Sequence, residues 1–407
     1  MEKIQLVIES FNGSLEVYLF LFDILINIKT KNFWVQCKFG DIIQTVPYKP
    51  FLKEPELNGN YQIIQQGNEP IVGFANGNPY RDYKDVVIFG DHTISLYKPK
   101  SPFFVATDGV RIVKGRQFIA GNYLYALLEN FKPESEGYKR YYNILKNTNC
   151  VTIHDINEQK KIGKLFSILD RIITLEQEKL DIIKNFRCFL FENILPKENE
   201  VNPNIRLSNY ERNWISIDLN KCGKFLKGKG YKKEDVNYSI RASHPIILYG
   251  HLFTDYKPII KEWNYTAVTL DDNSVYSKPG DVILPSSSTT ADNSIVVASS
   301  IIKPNIILGG DINIIRTGDV HLSTLIAYII SNTYLKNKIY KTVEGITIRH
   351  LYLENLKNIK IKLPSEKKEQ ELICNTLLKV DNMLLLHKDK ISKLHSLKQF
   401  LLNQLFM

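Results

Sequence analysis

Apolar residues recur at steps of three and four in two long stretches of the chain. In residues 158–195 one series runs Ile162, Leu169, Glu176, Ile183 and Leu190, and the other Phe166, Ile173, Leu180, Arg187 and Ile194. In residues 369–406 the series are Ile373, Val380, His387, Leu394 and Leu401, with Leu377, Leu384, Ile391, Lys398 and Leu405. About five heptads of this spacing predict a long helix with a sticky stripe. Neither stretch contains proline, or glycine after Gly163. At a rise of ~1.5 Å per residue each helix spans just under ~60 Å.

The two stretches are copies. Glu158-Gln159 and Glu369-Gln370 stand 211 residues apart, and the same offset carries Asp170 onto Asp381, Lys179 onto Lys390 and Leu195 onto Phe406 without a gap. Both stripes are broken by polar residues at the same two places, Glu176 with His387 and Arg187 with Lys398. If the helices pair antiparallel their midpoints meet, which brings Glu176 near His387. A polar pair inside a seam costs stability but fixes register. The apolar face is wider than a two-helix seam, because Leu165, Ile172, Leu175, Phe186 and Phe189 flank it in the first copy, and Met383, Leu386, Leu397 and Phe400 in the second. Globular parts or another protein must cover the surplus.

Each helix follows a segment of the other period. Val86–Phe89 and Val110–Val113 in the first segment, and Ile246–Tyr249, Asp281–Leu284 and Ile312–Ile315 in the second, are short β-branched runs between turn signals. Short helices are expected at Tyr123–Leu128 and Thr324–Ser331. In a looser correspondence, Pro70-Ile71-Val72-Gly73 resembles Pro245-Ile246-Ile247-Leu248, and Gly90-Asp91 and Gly280-Asp281 sit near similar strands. Lys197–Asn213, with one proline and many charges, reads as a linker. The division is 1–157 (with 1–30 as an N-terminal extension), 158–196, 197–368 and 369–407.

Length and composition fit this division. The 407 residues suffice for two to four domains, and 44% hydrophobic content excludes a disordered chain. The formal charge of +10 favours a polyanionic partner, through release of counterions from phosphates. Cys37, Cys150, Cys188, Cys222 and Cys374 form no C-x-x-C pair and no zinc spacing, as expected of reduced cytoplasmic thiols. Leu15–Ile28 is apolar but is interrupted by Glu16 and Asp23 and is too short to span a bilayer. Met1-Glu2-Lys3 is no basic signal-peptide start. A soluble, cytoplasmic protein without membrane contact is expected.

The order globular, long helix, globular, long helix resembles the specificity (S) subunit of type I restriction–modification enzymes. The helix starts Glu158-Gln159-Lys160-Lys161-Ile162 and Leu363-Pro364 leading to Glu369-Gln370-Glu371-Leu372-Ile373 carry the resemblance. So do Asp170 and Asp381, the tail Leu397-Lys398-Gln399-Phe400-Leu401-Leu402, Trp34 before Phe39-Gly40-Asp41, and Gly280-Asp281-Val282-Ile283-Leu284-Pro285. The resemblance covers about residues 31–407. The first copy departs from it, with His154-Asp155-Ile156-Asn157 where Leu-Pro is expected, and its globular segment is shorter.

The resemblance implies an α+β fold of two similar, mixed but β-rich target recognition domains, separated by two long antiparallel coiled-coil helices with pseudo-two-fold symmetry. It implies a reader of a bipartite double-stranded DNA target, in which helix length sets the gap between half-sites. The apolar stripes would dock two methyltransferase subunits, with restriction subunits joining through them. The chain itself would hold no cofactor, because methyl donor and ATP belong to the partners, and adenine would be the methylated base.

Candidate DNA contacts lie in three loops. Asn76–Lys84 is polar, basic and aromatic and offers Asn78, Tyr80, Arg81 and Lys84; Lys227–Lys233 is basic and glycine-rich and offers Lys227, Lys229, Lys232 and Lys233; Ser286–Thr290 is hydroxyl-rich and offers Ser288 and Thr289. Arginine and lysine grip phosphates, whereas arginine, asparagine and hydroxyls read base edges. The competing reading of each loop is a solvated turn.

Catalytic alternatives find little support. Phe225–Gly230 resembles a glycine-rich methyl-donor loop, but the acidic residue of a βαβ unit does not follow, and Asn78-Pro79-Tyr80 lacks one proline of the adenine methyltransferase tetrapeptide. Asp271-Asp272, and Asp255 with Lys257, are the nearest approach to a nuclease cluster. His244 and His251 read as loop or packing residues, and no P-loop is present. The expectation is a non-catalytic subunit. The alternatives are a coiled-coil assembly scaffold that reads no DNA, or a recognition module of another DNA-modifying defence system. Steep salt dependence of DNA affinity separates a reader from a scaffold.

Overall fold

The computed structural model describes residues 34–406 apart from 117–118, 238–243, 255–257, 269–272 and 291. The extension 1–30, with its apolar Leu15–Ile28, and Asp255, Lys257, Asp271 and Asp272 lie outside the described residues. The chain divides into two units, Met1–Leu180 with Leu386–Met407, and Asp181–Leu385. Both long helices, Ile156–Asn193 and Lys367–Leu405, have one end in each unit. The first helix begins where Asp155 Oδ1 accepts from the backbone N–H groups of Asn157 and Glu158. Those donors have no partner inside the helix, and a capping carboxylate satisfies them.

In the first unit an antiparallel four-stranded sheet has the order Ile43–Val46, Val110–Gly115, Val86–Gly90, Leu96–Tyr97. Side chains of a strand alternate between faces. Val87, Phe89 and Val113 accordingly join the helix Gly121–Phe131 in one core, while Val86, Ile88, Val110 and Ile112 join Ile64, Phe103 and Val105 of a three-stranded sheet in another. A strand covered on both sides reads as an unbroken apolar run. Trp34–Lys38 pairs antiparallel with Asn149–Ile153, the strand that leads into the first long helix.

The second unit repeats this plan. Its five-stranded sheet has the order Lys224–Lys227, Ile312–Arg316, Asp281–Pro285, Ser299–Ile301, Ile259–Ile260. Val282, Leu284 and Ile315 pack with the helix Val320–Ser331, whereas Ile283, Ile312 and Ile314 fill a core on the other face. Ile215–Asp218 pairs antiparallel with Lys360–Leu363, the strand before the second long helix.

Three local expectations are corrected. Gly90 ends a strand but Gly280 precedes one, so Gly90-Asp91 and Gly280-Asp281 do not correspond. Of the run Ile246–Tyr249 only Ile246–Ile247 is strand, because Gly250 turns the chain into the short helix His251–Thr254. Within the hydroxyl-rich loop, Ser287–Ser288 is a strand paired with Arg349–His350.

Candidate functional site

The long helices present matched contacts in the two units. Gln159 Nε2 donates to the Ile153 carbonyl at 2.6 Å, and Gln370 Nε2 to the Pro364 carbonyl at 2.9 Å, each six residues back. In the first unit Lys398 Nζ reaches Asp170 Oδ1 at 2.5 Å and also Glu129. In the second unit Arg187 Nε reaches Asp381 Oδ1 at 2.5 Å. Arg187 and Lys398 are repeat equivalents, as are Asp170 and Asp381. Each polar break in a stripe therefore answers the aspartate of the other copy. Tyr328 Oη adds a second donor to Asp381 at 2.8 Å, and the Arg187 guanidinium lies 4.3 Å from the Phe191 ring centre.

At the other polar break the two copies meet each other. His387 Nδ1 lies 2.7 Å from Glu176 Oε2, and Lys390 and Lys179 reach Oε1 at 3.0 and 3.3 Å. Glu176 is only 4% exposed. Burial alone pushes its carboxyl up, but hydrogen bonds from Lys390, His387 and Lys179 outweigh that and hold it below the ordinary value.

The remaining stripe positions grade from buried ends to a half-buried middle. Ile162, Phe166, Leu169 and Leu180 in the first helix, and Leu394 and Leu401 in the second, are buried in the first unit. Ile183, Leu190, Ile373, Leu377 and Val380 are buried in the second unit. Ile173, Leu384 and Ile391 are half-buried. Beside them Leu175 and Leu386, and in the second unit Ile182, Phe186, Phe189, Met383 and Leu385, remain exposed.

The loop residues divide. Asn78, Arg81, Lys84, Lys227, Lys229, Lys232, Lys233 and Thr289 are exposed and available to a ligand. Two of the remaining expectations are corrected by burial. Tyr80 is 7% exposed, with its ring 5.2 Å from Phe51 and 5.4 Å from Phe103, because the chain here bridges back to Phe103. Ser288 is 5% exposed, and its hydroxyl is occupied by Thr290 Oγ1 at 2.8 Å. Each is part of a folded edge. In the basic loop Gly230 and Tyr231 both have positive φ, which projects the lysines on either side outward.

Several structural polar groups are absent from the sequence reading. Asp91 and Asp281, both buried, are bound by Arg111 and by Arg316. Glu369 accepts from Arg206 at 2.5 and 2.9 Å and from the Trp214 indole at 3.2 Å. No local spacing announces these pairs, since their members lie 20 to 163 residues apart. His251 stacks on Tyr265 with ring centres 3.7 Å apart.

Among the described residues no group of three or more His, Cys, Asp or Glu is placed to hold a metal ion, and no helix is long and apolar enough to cross a membrane. Exposed cations, amides and hydroxyls lie on loops that adjoin the strands.

Residues 217–396 match the family described as "Type I restriction modification DNA specificity domain". No curated protein matches the chain significantly. Among solved structures, the crystal structure of a type I restriction-modification system S subunit from M. genitalium has a TM-score of 0.62 at 13% identity, covering 93% of this chain and 98% of that one. The HsdS subunit from Thermoanaerobacter tengcongensis gives 0.42 at 17% identity, over 92% and 96%. A structure concerned with assembly and conformational transition of the type I R-M system gives 0.48 at 14%, over 93% and 99%.

Proposed function

We propose that the chain is the sequence-reading subunit of a type I restriction–modification complex, on the match of residues 217–396 to a type I restriction modification DNA specificity domain and the likeness in fold to a type I specificity subunit. The observation that carries the reading is the exchange of partners between copies: Asp170 takes Lys398, and Asp381 takes Arg187. Contacts that repeat with the copies interchanged are the mark of a two-fold relation. The proposed object is two recognition domains, 1–157 and 197–368, on an antiparallel coiled coil with pseudo-two-fold symmetry. Each domain reads one half-site through its exposed loops, and the coil sets the gap.

On this reading the chain does no chemistry. Methyl donor and ATP are held by partner subunits. Two methyltransferase subunits dock on exposed apolar positions of the long helices such as Phe186, Phe189 and Leu386, and restriction subunits join through them.

The test is a genome-wide map of methylated adenines in cells that co-express this chain with its methyltransferase subunit, against cells with the methyltransferase alone. A split motif that appears only with this chain supports the reader. Co-purification of the two proteins without any motif overturns it and leaves an assembly scaffold.

A further inference from the structure

We propose that the first unit carries a phosphate-gripping cleft at the root of the first long helix, which holds the DNA backbone beside the base-reading loop that ends at Lys84. The inference rests on the reading of the chain as a DNA-binding subunit. A cavity of about 760 Å³ lies within this unit, with Lys84, Lys98, Lys100, Asn122, Tyr125 and Arg171 among its walls. A second hollow of about 230 Å³ adjoins it, shares Lys84, Asn122 and Ser167, and adds Lys160 and Lys164.

Among the described residues Lys84, Lys100, Lys160 and Arg171 make no ion pair. The acid in the wall, Asp170, shares Lys398 with Glu129. The Lys98 amine is spent on the carbonyls of Tyr83, Lys84 and Val86, and is not counted among the grips. Like charges gathered in a cleft repel one another and raise the local potential for anions.

The repeat separates this feature from the scaffold. The second copy has Glu371 and Asn382 at the places of Lys160 and Arg171. Its helix forms equally well without those cations, so building the helix does not require them. What they add is affinity for negative charge, in the first half only. Separate point charges on the walls of two hollows that share lining residues suit the phosphates of a duplex.

The experiment measures binding of a labelled 30-base-pair duplex to the full chain, and to its complex with the methyltransferase subunit, as a function of salt. One variant carries Lys100→Gln, Lys160→Gln and Arg171→Gln. A control with the same loss of charge carries Lys368→Gln, Lys379→Gln and Lys388→Gln on the second long helix. The cleft variant should lower the slope of log affinity against log salt by about one per residue removed, or about three in all. The control should change it by much less, and the methylated motif should be unaltered in the cleft variant. An unchanged slope, or an equal fall in the control, overturns the cleft while the motif still upholds the reader. Loss of one half of the motif in the cleft variant overturns phosphate gripping in favour of base reading. Absence of any motif with the unaltered chain is the failure of the reader itself.

Discussion

Glu176 and His387 occupy the same position in the two copies, 211 residues apart, and their side chains meet at 2.7 Å. A position that meets its own equivalent is where like residues would clash: two glutamates would repel, and so would two protonated histidines. Glutamate opposite histidine resolves this, and Lys179 and Lys390, themselves equivalents, also pair with the carboxylate.

Coupling between these residues should be measurable. Glu176→Leu alone leaves three cationic or polar groups facing each other, and His387→Leu alone removes one donor from a buried carboxylate. The double variant restores an apolar seam, which often costs little relative to a buried pair. Thermal unfolding of the four proteins in a cycle should give a coupling of about 1–3 kcal/mol. Additive single effects would contradict the pairing.

The same carboxylate predicts a pH dependence. Its folded-state value lies below the ordinary 4.5 because its hydrogen bonds outweigh burial. A depressed value contributes stability that is fully present above the unfolded value and is lost as pH falls through the folded one. Glu176→Gln should therefore be less stable than the parent at pH 6, with the difference shrinking between pH 4.5 and pH 3. A difference that persists unchanged at pH 3 would show that the charge is not what stabilises.

The exchanged ion pairs should differ in strength. Lys398 is 6% exposed and serves both Asp170 and Glu129, so Lys398→Met strands two carboxylates and should cost about 3–5 kcal/mol. Arg187 is more exposed, and Asp381 keeps the Tyr328 hydroxyl when it is lost. Arg187→Met should cost about half as much or less. Chemical denaturation with probes in each unit should show the first variant acting on the first unit and the second variant on the second. Equal losses would be unexpected.

Gly163 lies inside the first long helix, where alanine would ordinarily gain about 1 kcal/mol. A Cβ there would stand 2.7 Å from the Tyr123 backbone nitrogen and 3.0 Å from the Asn122 carbonyl carbon. Backbone cannot yield as a side-chain tip can, so overpacking should win and Gly163→Ala should destabilise by about 1–3 kcal/mol. A rise in Tm would refute the close approach.

Within the first recognition loop, burial separates neighbours. Arg81→Ala should weaken DNA binding, whereas Tyr80→Phe should leave it unchanged, because the Tyr80 ring is packed against Phe51 and Phe103. Replacing residues 31–157 by those of a homologous reader should change one half of the methylated motif and leave the other intact. Simultaneous change of both halves would contradict two independent readers.

The sequence by itself determined the doubled plan: two long helices, their heptads, the polar breaks at Glu176, Arg187, His387 and Lys398, and the apolar runs at Val86, Val110, Asp281 and Ile312. Helical and strand periods are properties of neighbouring residues, so they can be counted without knowing what lies opposite. It also placed exposed cations in the loops, because glycine and lysine mark solvated turns. Only the tertiary structure decided which charge answers which. Asp170 could have met any cation until Lys398 was brought beside it, and Glu369 until Arg206 and Trp214 were. It also withdrew Tyr80 and Ser288 from the surface, turned Gly163 from a weak point in a helix into a point of close contact, and joined Lys84, Lys100, Lys160 and Arg171 along one cleft. Burial and pairing are set by residues distant along the chain, and no local period encodes them.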